Sequence, residues 1–297
     1  MEQEKIGLVI EGGGMKCAYS AGILDHFLDA GISFPYVAGV SAGSANAVSF
    51  LAGQRDRNRR FYVEYSADPR YASVSNMMKT GEYFGLHYIY GELSNEDGLD
   101  PVDYDALMAN PAEFCIVATN ARTGRPKYFS KEDLERNHFE PIMASSALPV
   151  MCKPIEIHGK MYFDGGVRDS LCVEKALEDG CTKLVYLMSK PKGYRMEPQS
   201  MRGLYTASLV GKYPLTVYNI NHRHERYNRQ MEQVLRLERE GKAMIFYVPS
   251  HFQIRTTTVD PELMQQLYDA GVADAIAREA ELRAFMGTGE SEGAGIA

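Results

Sequence analysis

Five residues, Gly39-Val40-Ser41-Ala42-Gly43, constrain this chain more than any other stretch. They stand where an apolar run from Tyr36 to Val40 passes into a small-residue segment, Ser44 to Ala52, that reads as a helix. A serine on such a strand-to-helix turn is held on a sharp bend with its hydroxyl pushed out above the sheet, and glycines two residues to either side let the two backbones pass closely. Ser41 is therefore a candidate nucleophile, with Gly39 and Gly43 as its support. Small residues also gather at tight turns for packing alone, so other motifs have to decide between the two readings.

The first lies upstream. An apolar strand, Ile6 to Ile10, runs into Glu11-Gly12-Gly13-Gly14-Met15-Lys16-Cys17 and then into a helix that extends to about Leu28. Consecutive glycines leave backbone N–H groups unshielded at a helix N-terminus, where the dipole already favours negative charge, so Gly12, Gly13 and Gly14 read as an anion or oxyanion cradle. The dinucleotide fingerprint G-x-G-x-x-G fails at Cys17. The other phosphate cradle fails too, because none of Gly159-Lys160, Gly211-Lys212 and Gly241-Lys242 is followed by Ser or Thr. Lys16 reads either as support for the loop or a phosphate headgroup, or as a solvated side chain in a first helical turn.

The second is Tyr162-Phe163-Asp164-Gly165-Gly166, after a hairpin expected from Lys153 to Ile157, a Gly159-Lys160 turn, and Met161 to Phe163. Alone, Asp164-Gly165-Gly166 would be an ordinary turn at a strand end. It does not stand alone.

Together, the three motifs resemble the patatin-like phospholipase family, which pairs a G-G-G-x-[KR]-G oxyanion loop with a G-x-S-x-G elbow on the next strand and a later D-G-[GA]. Gly12 to Lys16, Gly39 to Gly43 and Asp164 to Gly166 fall on those positions in that order, and similarity continues through Ala118-Thr119-Asn120, Thr123-Gly124 and Ala144-Ser145-Ser146-Ala147-Leu148-Pro149. The likeness covers about residues 5 to 190. Cys17 departs from it, standing where the family has glycine, and puts the tightness of the helix start in question. Past 190 the likeness narrows to a helical ending, Asp260-Pro261-Glu262 through Ala273. The resemblance implies a Ser-Asp dyad without histidine, in which Asp164 is the base for Ser41 and the amides of Gly12 to Gly14 hold the oxyanion. It implies lipid or ester substrates and no cofactor or metal. An aspartate is a weak base at neutral pH, so burial or direct hydrogen-bond reach has to supply what basicity lacks.

Two alternatives stay open at this stage. The order Ser41, Asp164, His251 suits a triad α/β-hydrolase, since His251 follows an expected strand from Ala243 to Pro249; against it, the elbow comes on the second strand rather than after several. A catalytically silent module that keeps the pocket to hold an acyl chain or anion is the other. His222 and His224 are two apart, lack a metal-ligand cluster, and read as surface residues.

The short apolar strands Ile6 to Ile10, Tyr36 to Val40, Phe114 to Thr119 and Lys183 to Met188, with helical stretches between several, imply a three-layer α/β/α fold around a mostly parallel sheet. The nucleophile would stand at the carboxyl end of its strand, where open α/β sheets bind ligands. The expected organisation is one domain over 5–286, more divergent and helical from about 190, with a disordered tail over 287–297.

A net charge of −7 argues against nucleic acid. Five scattered cysteines without C-x-x-C spacing read as buried thiols in a reducing compartment. No signal peptide or bilayer-spanning run is evident, so the expected location is cytoplasmic, with peripheral, transient contact to a membrane surface. Residues 68–98 and 195–225, rich in Tyr, Met and Gly, could cap a site or pack core edges, and the basic run Arg55 to Arg60 reads as a contact for phosphate headgroups or, the favoured reading, as a solvated helix end.

Overall fold

The computed structural model describes residues 4–200 and 202–287, apart from the side chain of Leu204. Eight strands form one mixed, mostly parallel sheet: β1 (Ile6–Ile10), β2 (Tyr36–Val40), β3 (Glu113–Asn120), β4 (Pro126–Phe129), β5 (Ile155–Ile157), β6 (Lys160–Asp164), β7 (Lys183–Leu187) and β8 (Ala243–Phe246). Strands β3, β2, β1, β7 and β8 are parallel neighbours in that order, while β4 and β6 pair with β3 antiparallel and β5 pairs with β6. The inner strands are apolar without alternation because both faces are covered. Leu8, Ile10, Val37, Ile116, Val185 and Leu187 face one core, and Val9, Ala38, Val40, Val117, Leu184 and Tyr186 face the other. The three-layer α/β/α reading therefore holds.

The first core is closed by helices α1 (Ala18–Asp29) and α2 (Ala42–Leu51), and by the Pro261–Ala277 helix. The second is closed by the Val173–Glu178 and Arg223–Arg239 helices. Where α1 crosses the Pro261–Ala277 helix, two glycines meet backbone: a Cβ on Gly22 would stand 2.0 Å from the Tyr268 carbonyl oxygen, and one on Gly271 2.0 Å from that of Tyr19. Even alanine at either position would force the helices apart, with an overpacking penalty of about 1–3 kcal/mol or more.

Element boundaries shift by up to three residues from the sequence reading. The last strand stops at Phe246 instead of reaching Pro249, and α2 begins at Ala42, directly after the elbow serine. The segment 195–225 contains the Arg202–Leu209 and Pro214–Asn221 helices, whose Tyr205, Leu209, Val217 and Ile220 pack on Phe163 and Val167. All five cysteines are buried and free. Among the described residues no helix is long and apolar enough to cross a membrane. The tail expected to be disordered lies, beyond Gly287, outside the described residues.

Candidate active site

Ser41 holds φ 55°, ψ −131°, a conformation that costs a non-glycine residue about 1–3 kcal/mol and persists only where the surroundings impose it. Three hydrogen bonds do so. Its N–H donates to Ser145 Oγ at 2.8 Å, and that hydroxyl donates onward to the Val117 carbonyl at 2.6 Å. The Ser41 carbonyl accepts from the Ser44 N–H at 2.9 Å and from Ser44 Oγ at 2.6 Å. Both elbow glycines are explained by close approach: a Cβ on Gly39 would lie 2.4 Å from Ser44 Cα, and one on Gly43 2.3 Å from the Ile10 carbonyl oxygen.

The glycine loop runs directly against this elbow. A Cβ on Gly12 would stand 2.6 Å from Ser41 Cβ, one on Gly13 2.5 Å from Ser189 Oγ, and Gly14 has φ +56°. The loop is clamped from outside the motif. Ser189 Oγ donates to the Gly12 carbonyl at 2.8 Å, the buried Glu11 carboxylate accepts from the Ser189 N–H at 2.7 Å, and the Met15 N–H donates to the Thr256 carbonyl at 3.2 Å. The N–H groups of Gly12, Gly13 and Gly14 donate to no group among the described residues, which leaves them free for an oxyanion. Lys16 is half-buried beside Lys190, and burial together with that neighbouring charge lowers its pKa.

Cys17 does not loosen the helix start. It lies at φ −74°, where a side chain is unstrained, in a short 3-10 turn (Gly14–Cys17) that leads into α1. Its thiol donates to the Glu11 carbonyl at 3.4 Å, and burial pushes its pKa up to about 12, so it stays neutral.

The register of β3 brings Asp164 to the elbow across 123 positions of sequence. Gly39 and Val40 of β2 pair with Ile116 and Val117, which also pair with β4 on the opposite edge of β3. Ala118 and Thr119, one step further, pair with β4 again and with Asp164 and Phe163 of β6. Each residue has one neighbour per edge, so β6 takes over the β2 edge of β3 where β2 ends, and the two strands terminate head to head.

Asp164 is 1% exposed. Its Oδ1 accepts from the Gly166 N–H at 2.7 Å, its backbone N–H donates to Ala147, and its carbonyl accepts from Thr119 Oγ1 at 2.9 Å. Burial raises its pKa above the ordinary carboxylate value, opposed by the Ser41 hydroxyl, the Arg223 charge and the Gly166 amide. The hydroxyl is thus close enough to favour the anion, yet Oδ2 has no hydrogen bond of full geometry among the described residues. Such contacts are commonly long before substrate closes them. Gly165 is needed for the turn, since its Cβ would lie 2.2 Å from the Val117 carbonyl oxygen.

A mostly apolar cavity of about 60 Å³ opens on Ser41 and Gly14. The segment 68–98 forms one wall through Tyr71, Phe84, Leu86, Ile89, Tyr90 and Ser94, whereas none of the described residues of 195–225 lines it. The basic run is corrected here. Arg55 is exposed, but Arg57 is buried and lines the cavity, donating to the Asp100 carbonyl at 3.1 Å, Ser49 Oγ at 3.1 Å and Ser94 Oγ at 2.9 Å. Burial lowers its pKa to about 10, so it remains charged at neutral pH. Arg60 forks onto Asp100 at 2.6 and 2.9 Å.

No histidine among the described residues lines the cavity or hydrogen-bonds Ser41 or Asp164. His251 is exposed and lies against Phe252. His222 and His224 are half-buried rather than on the open surface, and His224 Nδ1 is buried without a partner. Among the described residues, no group of three or more His, Cys, Asp or Glu is placed to hold a metal. Three residues that the sequence reading gave no role, Ser189, Thr256 and Arg223, touch the site from beyond residue 177, where no motif marks them. Ser145 was visible only as part of a segment.

Comparison with known proteins places the chain among relatives. Residues 213–287 match a family described only as a domain of unknown function. The uncharacterized protein YjjU of Escherichia coli K12 is 27% identical over 250 residues, covering 82% of this chain and 68% of that one. Lysophospholipase nte1 of Aspergillus terreus is 27% identical over 181 residues, covering 57% of this chain, which spans only 11% of that protein's length. Among solved structures, VipD from Legionella pneumophila aligns with a TM-score of 0.48 at 14% identity, over 93% of this chain and 66% of that one. Residues 8–177, more than half of the chain, match the patatin-like phospholipase family, and the chain belongs to that family.

Proposed function

We propose that the protein is a serine acyl hydrolase that cleaves lipid ester bonds through an acyl-enzyme on Ser41. The observation that carries this reading is the head-to-head ending of β2 and β6 on one edge of β3, which sets a strained serine beside a buried carboxylate under a loop of free amides. In the acylation step the Ser41 oxygen attacks the ester carbonyl carbon as its proton passes to Asp164. The carbonyl oxygen becomes an oxyanion facing the Gly12 to Gly14 amides. The tetrahedral intermediate collapses, the leaving alcohol takes the proton from Asp164, and water repeats the sequence to release the acid. Burial of Asp164 raises its basicity toward that role. Lys16, half-buried at the end of the loop, is read as support for it.

Substrate size follows from the cavity. An engineered cavity of about 150 Å³ accommodates benzene, so the roughly 60 Å³ beside Ser41 suits a short acyl group unless the 68–98 wall moves. The lipid substrate is read from family membership, and with it transient contact with a membrane surface. We also read residues 5–286 as one unit, because β8 extends the sheet through β7 and the Pro261–Ala277 helix closes the first core. The test is labelling by a fluorophosphonate probe followed by hydrolysis of a panel of lipid and simple esters. Labelling of wild type but not of Ser41→Ala supports the reading; an unlabelled, well-folded wild type would leave only a silent binding module.

A further inference from the structure

We propose that Arg223 is the positioning charge of the Ser41–Asp164 pair, supplying from the C-terminal segment the counter-charge for the buried carboxylate. The inference rests on the dyad reading above and adds a residue to it.

The geometry is set by the missing side chain of Gly166. A Cβ at that position would lie 3.0 Å from Arg223 Nη2 and 3.1 Å from Asp164 Oδ1. Both atoms are thus about 3 Å from one point, and the two charges are about 6 Å apart or closer, the range in which an opposite charge favours a carboxylate anion. Among the described residues Arg223 has no competing ion-pair or hydrogen-bond partner. No carboxylate lies within ion-pair distance of it among the described residues, and its Nε is buried without a hydrogen bond. The local helix does not explain it either. Arg223 is the first residue of the Arg223–Arg239 helix, where a cation opposes the helix dipole, and the helix has no side-chain cap.

Among the described residues, the other groups that act on Asp164 carry no charge at neutral pH. They are the Ser41 hydroxyl from the elbow, the Cys17 thiol beyond the glycine loop, the Tyr90 phenol from the cavity wall and the Cys152 thiol. Burial holds Cys17, Tyr90 and Cys152 up at about 12. Around Arg223 stand Tyr194, Tyr227 and Arg226, and Glu11 acts on the same two tyrosines; its carboxylate already accepts from Ser189 and Lys190. Arg223 is therefore the charge that compensates Asp164 for its lost water, and it comes from outside the patatin-like match, in the stretch that matches a domain of unknown function.

The test uses the full chain and the pH dependence of two rates, fluorophosphonate labelling and kcat/KM for a short-chain ester, between about pH 4 and 8. In Arg223→Met the acidic limb should move up by about one pH unit or more, so that a tenfold loss appears at pH values where wild type is still near its plateau. Arg223→Lys, which keeps the charge, should return the limb most of the way to its wild-type position, a rescue that a purely structural role would not produce. If Arg223→Met does not fold by circular dichroism, Arg223→Gln takes its place. A limb that coincides with that of wild type, or a change confined to KM, overturns the inference and makes Arg223 a packing or substrate-contacting residue. Wild type that is unlabelled, or Asp164→Asn with full activity, overturns the dyad and this inference with it.

Discussion

Ser145 and Ser146 are adjacent serines in one segment, yet the structure gives them very different weight, and replacing each by alanine tests how the elbow is held. Ser145 is fully buried, and its hydroxyl links the Ser41 N–H at 2.8 Å to the Val117 carbonyl at 2.6 Å. Ser145→Ala leaves both backbone groups buried without a partner. Each orphaned group costs about 1–3 kcal/mol, so the variant should lose about 2–6 kcal/mol of stability, and its Tm should fall by about 1.5–2 °C for each kcal/mol. The strained Ser41 conformation then loses one of its restraints, so kcat should fall at least tenfold with KM little changed, because the serine oxygen is no longer held on its line of attack. Ser146 has only a 3.3 Å contact with the Tyr90 hydroxyl, and its loss should cost under about 1 kcal/mol. Thermal and urea unfolding, with turnover of a short-chain ester, measure both variants. If Ser145→Ala stays within 0.5 kcal/mol of wild type with unchanged kcat, or if Ser146→Ala is the worse of the two, the strap does not hold the elbow.

Ser41→Ala and Asp164→Asn should each reduce ester turnover by about a thousandfold or more, while His251→Ala, on an exposed ring without a hydrogen bond to either, should keep most of it; equal damage from His251→Ala restores the triad. Acetyl and butyryl esters should be cleaved faster than palmitoyl ones, and Phe84→Ala, which opens the cavity wall, should shift the preference toward longer chains; a wild-type preference for palmitoyl esters refutes the size argument. Burial raises Asp25 to about 6, although Tyr268 and the Asp56 amide bind its anion. The folded state therefore holds that proton more tightly than the unfolded one, so its contribution is most favourable below about pH 4 and declines as pH rises through 6. Asp25→Asn should accordingly gain stability relative to wild type between pH 4.5 and 7.5, by about 1–3 kcal/mol, as read by urea unfolding at the two pH values.

What the sequence disclosed was whatever chemistry is local. Gly39, Gly43, Gly12 and Gly14 are legible because each is required by a backbone contact or dihedral within a short loop, and β1 and β2 because a strand buried on both faces is apolar throughout. The meeting of Ser41 with Asp164 was only implied by family likeness, since it depends on β6 replacing β2 along β3, a register that no nearby residue encodes. Arg57 was misread for a related reason: a run of four arginines looks solvated until Asp100, Ser49 and Ser94 are brought around one of them. Arg223 stood between two histidines that drew attention to metal chemistry, and nothing in its neighbourhood points to a carboxylate 59 residues earlier.

The glycine-to-glycine crossing of α1 with the Pro261–Ala277 helix bears on where this molecule can be cut. The stretch that matches the family ends at residue 177, before β7, yet β7 covers the second edge of β1, and the late helix lies against α1 with no side chain between the backbones at Gly22 and Gly271. A chain shortened to the matched stretch would bare the hydrogen-bonding edge of an inner strand and one whole apolar flank of α1, a surface prone to pair with any passing strand. It would also release the Met15 amide from Thr256, and with it the outer clamp on the glycine loop. The border of sequence similarity is thus not a border of the fold, and a patatin-like core excised along it should aggregate before its chemistry could be measured.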